Sequence, residues 1–139
     1  MTKGMYSSKT DEWATPQALF NELDKEFHFT LDPCATKENT KCARFYTKED
    51  NGLNAAWGKE VVFMNPPYGR KIKDWVERAQ FAHKAERATV VCLLPARTDT
   101  QWFHDYIYNK AEIRFLRGRL KFNDGKNPAP FPSMVVIYR

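Results

Sequence analysis

No apolar stretch in this 139-residue chain approaches the roughly 18 residues needed to cross a bilayer. No basic segment followed by an apolar core opens it, so no secretory leader is read there. Cysteine is scarce: Cys34, Cys42 and Cys92 are odd in number and form no CxxC pair, which argues against a disulfide framework and fits a reducing cytoplasm. Together with His28, His83 and His104 they show no zinc-ligand spacing, so no metal is expected. Glycine is thin as well, with none between Gly4 and Gly52. Internal repeats, low-complexity tracts and a linker between two domains are all missing, and a chain of this length can bury about 68% of its unfolded surface in one core.

What is present starts with charge. The 22 Lys and Arg outnumber the 17 Asp and Glu, giving a formal charge of +5 that favours a polyanionic partner, nucleic acid first, although a basic surface also serves solubility alone. Residues 1–12 are polar and unpatterned and read as a flexible tail, with the folded domain spanning 13–139. Thr15 reads as an N-cap with Pro16 at the first helical position, and Leu19, Phe20 and Leu23 line one face of a helix reaching about Phe27. Phe29 to Leu31 reads as a short strand, Glu60 to Met64 as another, Ile72 to Ala85 as a helix with Trp75, Val76, Ala79 and Ala82 inward. Thr89 to Leu94 has the unbroken apolar composition of a strand covered on both faces. A helix over 99–108, a strand from Glu112 to Leu116 and a last strand from Met134 to Tyr138 complete the pattern. Alternating strands and helices predict an α/β fold, a mostly parallel sheet that ends in an antiparallel hairpin.

The most informative segment is Asn65-Pro66-Pro67-Tyr68, set directly behind the apolar run 61–64. Two prolines remove two N–H donors and fix two φ angles, so the turn is stiff and its carbonyls only accept. An amide oxygen on Asn65 and the Pro66 carbonyl, accepting together from one planar NH2 group, would draw nitrogen lone-pair density out of conjugation and leave that nitrogen nucleophilic. Tyr68 is expected to stack on the ring that bears it. The bland alternative is a strand ending in a Pro-rich turn.

Ligands of open α/β sheets bind beyond the carboxyl ends of strands. Two carboxylates fall at such ends, Asp32 in Asp32-Pro33-Cys34-Ala35 and Asp50 before Gly52-Leu53. With no activated nucleophile beside them they suit ligand anchors better than an acid and base pair. Each also has a plain structural role open to it: Asp32 capping a turn, Asp50 holding its Asp-Asn-Gly turn, Thr15-Pro16 starting a helix.

Taken in order, Trp13-Ala14-Thr15-Pro16, Leu31-Asp32-Pro33-Cys34-Ala35, Asp50 with Gly52-Leu53 and Trp57, Asn65-Pro66-Pro67-Tyr68, Leu94-Pro95-Ala96-Arg97-Thr98 and Gly118-Arg119-Leu120-Lys121-Phe122 resemble the phage-type (Dam-type) DNA N6-adenine methyltransferases. The likeness runs from Trp13 to Arg139. It implies a single Rossmann-like methyltransferase domain using S-adenosylmethionine, with Thr15 and Pro16 near the cofactor carboxylate, Asp32, Pro33 and Cys34 near its amino acid portion, and Asp50 near its adenine. It implies Asn65, Pro66, Pro67 and Tyr68 as the catalytic segment that receives an adenine flipped out of double-stranded DNA. Two features depart from the family pattern: Cys34 to Asn39 stand where a Gly-rich turn is usual, and no inserted target-recognition domain is present. The ribose has no clear acidic partner beyond Glu49.

Basic residues crowd the expected rim. Arg70, Lys71 and Lys73 follow the Pro-Pro turn, Arg97 follows the third strand run, and Arg114, Arg117, Arg119, Lys121 and Lys126 cluster near the hairpin, where Phe131 or Phe122 is placed to close over the base. These suit phosphate contacts, which position a duplex without reading it. Other planar amines, such as cytosine N4, an RNA base or a protein glutamine, and a catalytically silent DNA-binding module remain open alternatives.

Overall fold

A computed structural model describes residues 13–139, so the expected tail at 1–12 lies outside the described residues. The first helix among the described residues, α1 (Gln17–Phe27), buries Phe20 and Leu23 and stops at His28, whose left-handed φ of 57° ends the helical ladder. The start differs from expectation by one residue. Pro16 occupies the cap position and no local side chain caps it; instead Asp124 Oδ1, over a hundred residues away, accepts from the Gln17 N–H at 3.1 Å. A carboxylate there also opposes the positive end of the helix dipole. Thr15 is thereby released from capping.

Among the described residues four regular strands form one sheet: β1 (Val61–Met64), β2 (Thr89–Pro95), β3 (Glu112–Phe115) and β4 (Ser133–Tyr138), in the spatial order β1-β2-β4-β3. Helix α2 (Ile72–Glu86) crosses between β1 and β2, which pair in parallel from Val61 opposite Thr89 to Met64 opposite Cys92. The short α3 (Gln101–Tyr106) leads on to β3. Strand β4 then inserts between β2 and β3, antiparallel to both. The hairpin is as expected, but the regular sheet is mixed: one parallel and two antiparallel pairs replace a mostly parallel one. The expected strand at Phe29 to Leu31 narrows to single parallel bridges, Leu31 to Val62 and Asp32 to Phe45, that extend the sheet beyond β1.

Every residue of β4, and β2 from Val90 onward, is buried, so both sheet faces are covered. The inward face of α2 is the one periodicity predicts, Trp75, Val76, Ala79 and Ala82. Strand β3 lies at the edge and is guarded by charge. Arg114 donates two bonds to Glu26, each 2.8 Å, and one to Glu112, while Arg139 reaches Glu112 at 3.0 Å. Both guanidinium groups sit over Phe27, 5.8 and 5.3 Å from its ring centre. Arg114 therefore belongs to an edge-protecting network.

Candidate active site

Asn65 leaves β1 at its carboxyl end, and the backbone fixes which way its amide points. The side-chain Nδ2 donates to the Trp13 carbonyl and, at 2.9 Å, to Thr15 Oγ1. A carbonyl can only accept, so the group facing Trp13 must be the NH2 end. Both Nδ2 protons are thus used, and Oδ1 faces the other way, buried and without a hydrogen-bond partner among the described residues. An orphaned acceptor costs about 1–3 kcal/mol, a price that native proteins tolerate chiefly where a ligand supplies the missing donor.

Asn65, Pro66 and Pro67 line a cavity of about 1080 Å³. Thr15, Asp32, Pro33, Cys34 and Lys71 line it too, so most of the sequence-predicted site converges on one concave surface. Its volume is at the upper end of small-molecule sites, roughly 300–1,000 Å³. Thr15 is only 3% exposed and has its hydroxyl proton left to donate after accepting from Asn65.

Asp32 is 6% exposed. Burial pushes its carboxyl up to about 6, against the opposing pull of the Cys34 and Lys41 N–H groups and the Lys41 charge. Those two N–H groups donate to Oδ1 and Oδ2 at 3.3 and 3.4 Å, long bonds that leave the carboxylate underserved. Neighbouring Cys34 has its thiol pushed well up by burial and by the Asp32 charge, which keeps it protonated.

The far wall is the loop 47–53. Gly52 is pressed onto the Pro33 carbonyl, where a Cβ would overlap the oxygen and sit 3.0 Å from both the Pro33 carbonyl carbon and Trp75. Only a residue without a Cβ allows this contact between the two segments. Behind it, fully buried Trp57 donates Nε1–H to the Gly52 carbonyl at 2.8 Å. Arg78 lies 4.6 Å over the Trp57 ring and donates to the carbonyls of Leu53 and Ala55. The loop is stapled from outside.

Some expected residues stand elsewhere. Asp50 is exposed and turned back on its own turn, accepting from the Thr47 N–H at 2.9 Å and the Thr47 hydroxyl at 3.0 Å. Those bonds hold its carboxyl below the usual value, and its neighbours Glu49 and Asn51 line the cavity in its place. Pro16 is at the helix start, off the cavity wall. Tyr68 is 4% exposed, donates its hydroxyl to the Leu93 carbonyl at 2.9 Å, and meets Phe122 and Phe131 edge-on. Trp13 joins the same cluster, 5.4 and 5.2 Å from the two phenylalanines. Stacking of a base on Tyr68 requires these rings to part. Tyr68→Phe keeps the ring and orphans only the Leu93 carbonyl, so the urea midpoint is expected to fall by the equivalent of about 1–2 kcal/mol; Tyr68→Ala would remove about 3–5 kcal/mol through a cavity.

Arg70, Lys73, Arg117, Arg119 and Lys121 are exposed, and Arg97, also exposed, lies 5.9 Å over Phe131. Sequence reasoning missed Lys41 and the pair Asn123 and Asp124. The second of these has one legible signal, Asn-Asp-Gly, the residues that most readily adopt the left-handed backbone found at Asn123 and Asp124. Among the described residues no three His, Cys, Asp or Glu side chains gather to hold a metal, and no helix is long and apolar enough to cross a membrane.

Comparison with known proteins shows the family. A DNA N-6-adenine-methyltransferase of Haemophilus phage HP1 is 38% identical over 139 aligned residues, covering 94% of this chain and 80% of that protein. A DNA N-6-adenine-methyltransferase of Escherichia phage T1 is 34% identical over 115 residues, 79% of this chain but 46% of its own length. The sequence model of the DNA N-6-adenine-methyltransferase (Dam) family matches residues 3–139. The chain belongs to the DNA N-6-adenine-methyltransferase (Dam) family.

Proposed function

We propose that this protein transfers a methyl group from S-adenosylmethionine to the N6 amino group of an adenine turned out of double-stranded DNA, within a Rossmann-like domain over 13–139. The observation that carries the reading is the buried Oδ1 of Asn65, without a partner among the described residues, on the wall of a large cavity. The residues present fit the cofactor: an underserved carboxylate on Asp32 for its ammonium group, a free hydroxyl proton on Thr15 for its carboxylate, and Glu49 on the wall opposite for its ribose. Bound there, the cofactor supplies an electrophilic methyl group. The chain's own part is to accept from the adenine NH2 through Asn65 Oδ1 and the Pro66 carbonyl, raising the nucleophilicity of N6 and stabilising the positive charge it gains. No general base is needed, since a methylated aminium loses its proton readily to water. Extruding the base costs about a few kcal/mol, offset by contacts in the aromatic cluster of Trp13, Tyr68, Phe122 and Phe131. Lys71, Arg97 and the hairpin cations suit the flanking phosphates, and such binding weakens with salt.

Incubation of the purified protein with duplex DNA and S-adenosylmethionine, followed by mass spectrometry of the nucleosides, tests this. N6-methyladenine is the expected product; N4-methylcytosine, or unmodified DNA, contradicts it.

The Asp32 carboxyl gives a pH signature. Raised from 3.8 to about 6 in the fold, it holds its proton more tightly than in the unfolded chain. Its contribution to stability is therefore complete below pH 3.8 and lost as pH rises through about 6, on the order of 3 kcal/mol in all. A bound ammonium group reverses the balance by favouring the carboxylate. Cofactor affinity measured by calorimetry is expected to fall about tenfold per pH unit below about 6, and Asp32→Asn to bind weakly with no such pH dependence.

A further inference from the structure

The segment that orients Asn65 is itself gripped from the hairpin loop. Asn123 Oδ1 accepts from the Ala14 N–H at 3.0 Å, and the Asn123 N–H donates to the Ala14 carbonyl at 2.8 Å. One residue is thus clasped on both its backbone groups. The first bond matters most, because the Ala14 N–H and the Trp13 carbonyl belong to the same peptide unit. That unit is planar and trans, so its N–H and C=O point in opposite directions from one rigid plate. Asn123 holds one end of the plate and Asn65 Nδ2 is bonded to the other.

We infer that Asn123 is a positioning residue for methyl transfer, fixing through the Trp13–Ala14 peptide which end of the Asn65 amide faces the substrate; this rests on the reading of Asn65 as the amine acceptor. Released from Asn123, the plate turns and the Trp13 carbonyl leaves Nδ2. The Asn65 amide is then free to rotate by half a turn, presenting its NH2 to the adenine NH2. Two donors face each other and the nucleophile is no longer polarised. The conformation of the loop fits this role, since Asn123 has a φ of 60°, in the region that asparagine tolerates better than most residues. The Trp13 ring keeps its own anchor on Phe122 and Phe131. Loss of the Asn123 side chain therefore loosens the plate without detaching the segment.

Two substitutions separate this from a general structural role. Asn123→Gly keeps the backbone N–H and the left-handed conformation but removes the acceptor. Asn123→Asp keeps an acceptor at the same reach. Both are assayed for methylation of duplex DNA at a temperature well below either melting midpoint, with cofactor affinity measured by calorimetry alongside. The expected result is a kcat for Asn123→Gly lowered about tenfold or more with cofactor Kd unchanged, and a kcat for Asn123→Asp within about threefold of the unsubstituted protein. Wild-type kcat in Asn123→Gly, equal losses in both variants, or a parallel loss of cofactor affinity would each overturn the inference. If the unsubstituted protein forms no N6-methyladenine, the failure lies with the reading of Asn65.

Discussion

Asn65→Ala is expected to lower kcat for adenine methylation by about 10²–10³-fold, the usual effect of removing one preorganised polar group from a charge-developing centre. The substitution takes away Oδ1, which has no partner among the described residues. It also frees the Trp13 carbonyl and the Thr15 hydroxyl, both of which lose a donor. Stability consequently has opposing terms: an orphaned acceptor is removed and two bonds are lost. The melting temperature should move little beside the loss of rate, and circular dichroism with single-turnover kinetics reads both. Cofactor affinity is expected to stay within about threefold, because the proposed reading gives that charge pair to Asp32. A variant that lost cofactor affinity as much as rate would mean Asn65 binds the cofactor and not the base.

Gly52→Ala has the second largest expected effect. Its Cβ would overlap the Pro33 carbonyl oxygen, a backbone atom that has no rotamer with which to step aside. Trp75 closes the other direction at 3.0 Å. Either the loop 47–53 or the Asp32-Pro33 turn must move, and each forms a wall of the cavity. Overpacking of this kind costs about 1–3 kcal/mol. The Trp57 to Gly52 bond and the Arg78 staple hold the loop from outside, so the displacement should fall on the Asp32 side. The expected readout is a cofactor Kd raised about tenfold or more together with a lowered melting midpoint. Unchanged affinity would mean that the contact between these walls does not shape the cofactor site.

The parts legible in the sequence were those set by strong local periodicity or by residues with few conformations. The apolar run 89–94, the inward stripe of α2 and the Asn-Pro-Pro corner behind β1 all stand where hydrophobic pattern and proline geometry put them. Less legible were choices among partners distant in the chain. Thr15 has the chemistry of an N-cap, yet Asp124 caps α1 and Thr15 turns to Asn65. Asp50 has the chemistry of a ligand anchor, yet its own turn satisfies it. Tyr68 follows the corner closely enough to suggest stacking, but the Leu93 carbonyl and two phenylalanines from the hairpin loop take its hydroxyl and ring. The mixed sheet escaped for the same reason: nothing in the composition of β4 says that it will lie between β2 and β3. Apart from Asp50, which its own local turn satisfies, each of these differences is a long-range pairing overriding a local preference.

The family is established by the relatives and the matched model; how the amine is activated rests on one oxygen atom. A crystal structure of the protein with duplex DNA and an unreactive analogue of S-adenosylmethionine tests that directly. The account predicts an adenine outside the helix with N6 about 3 Å from Asn65 Oδ1 and the Asn65 Nδ2 still on the Trp13 carbonyl. An adenine whose amino group lies beyond hydrogen-bond reach of Oδ1, or an Asn65 amide turned to present its nitrogen, would contradict it.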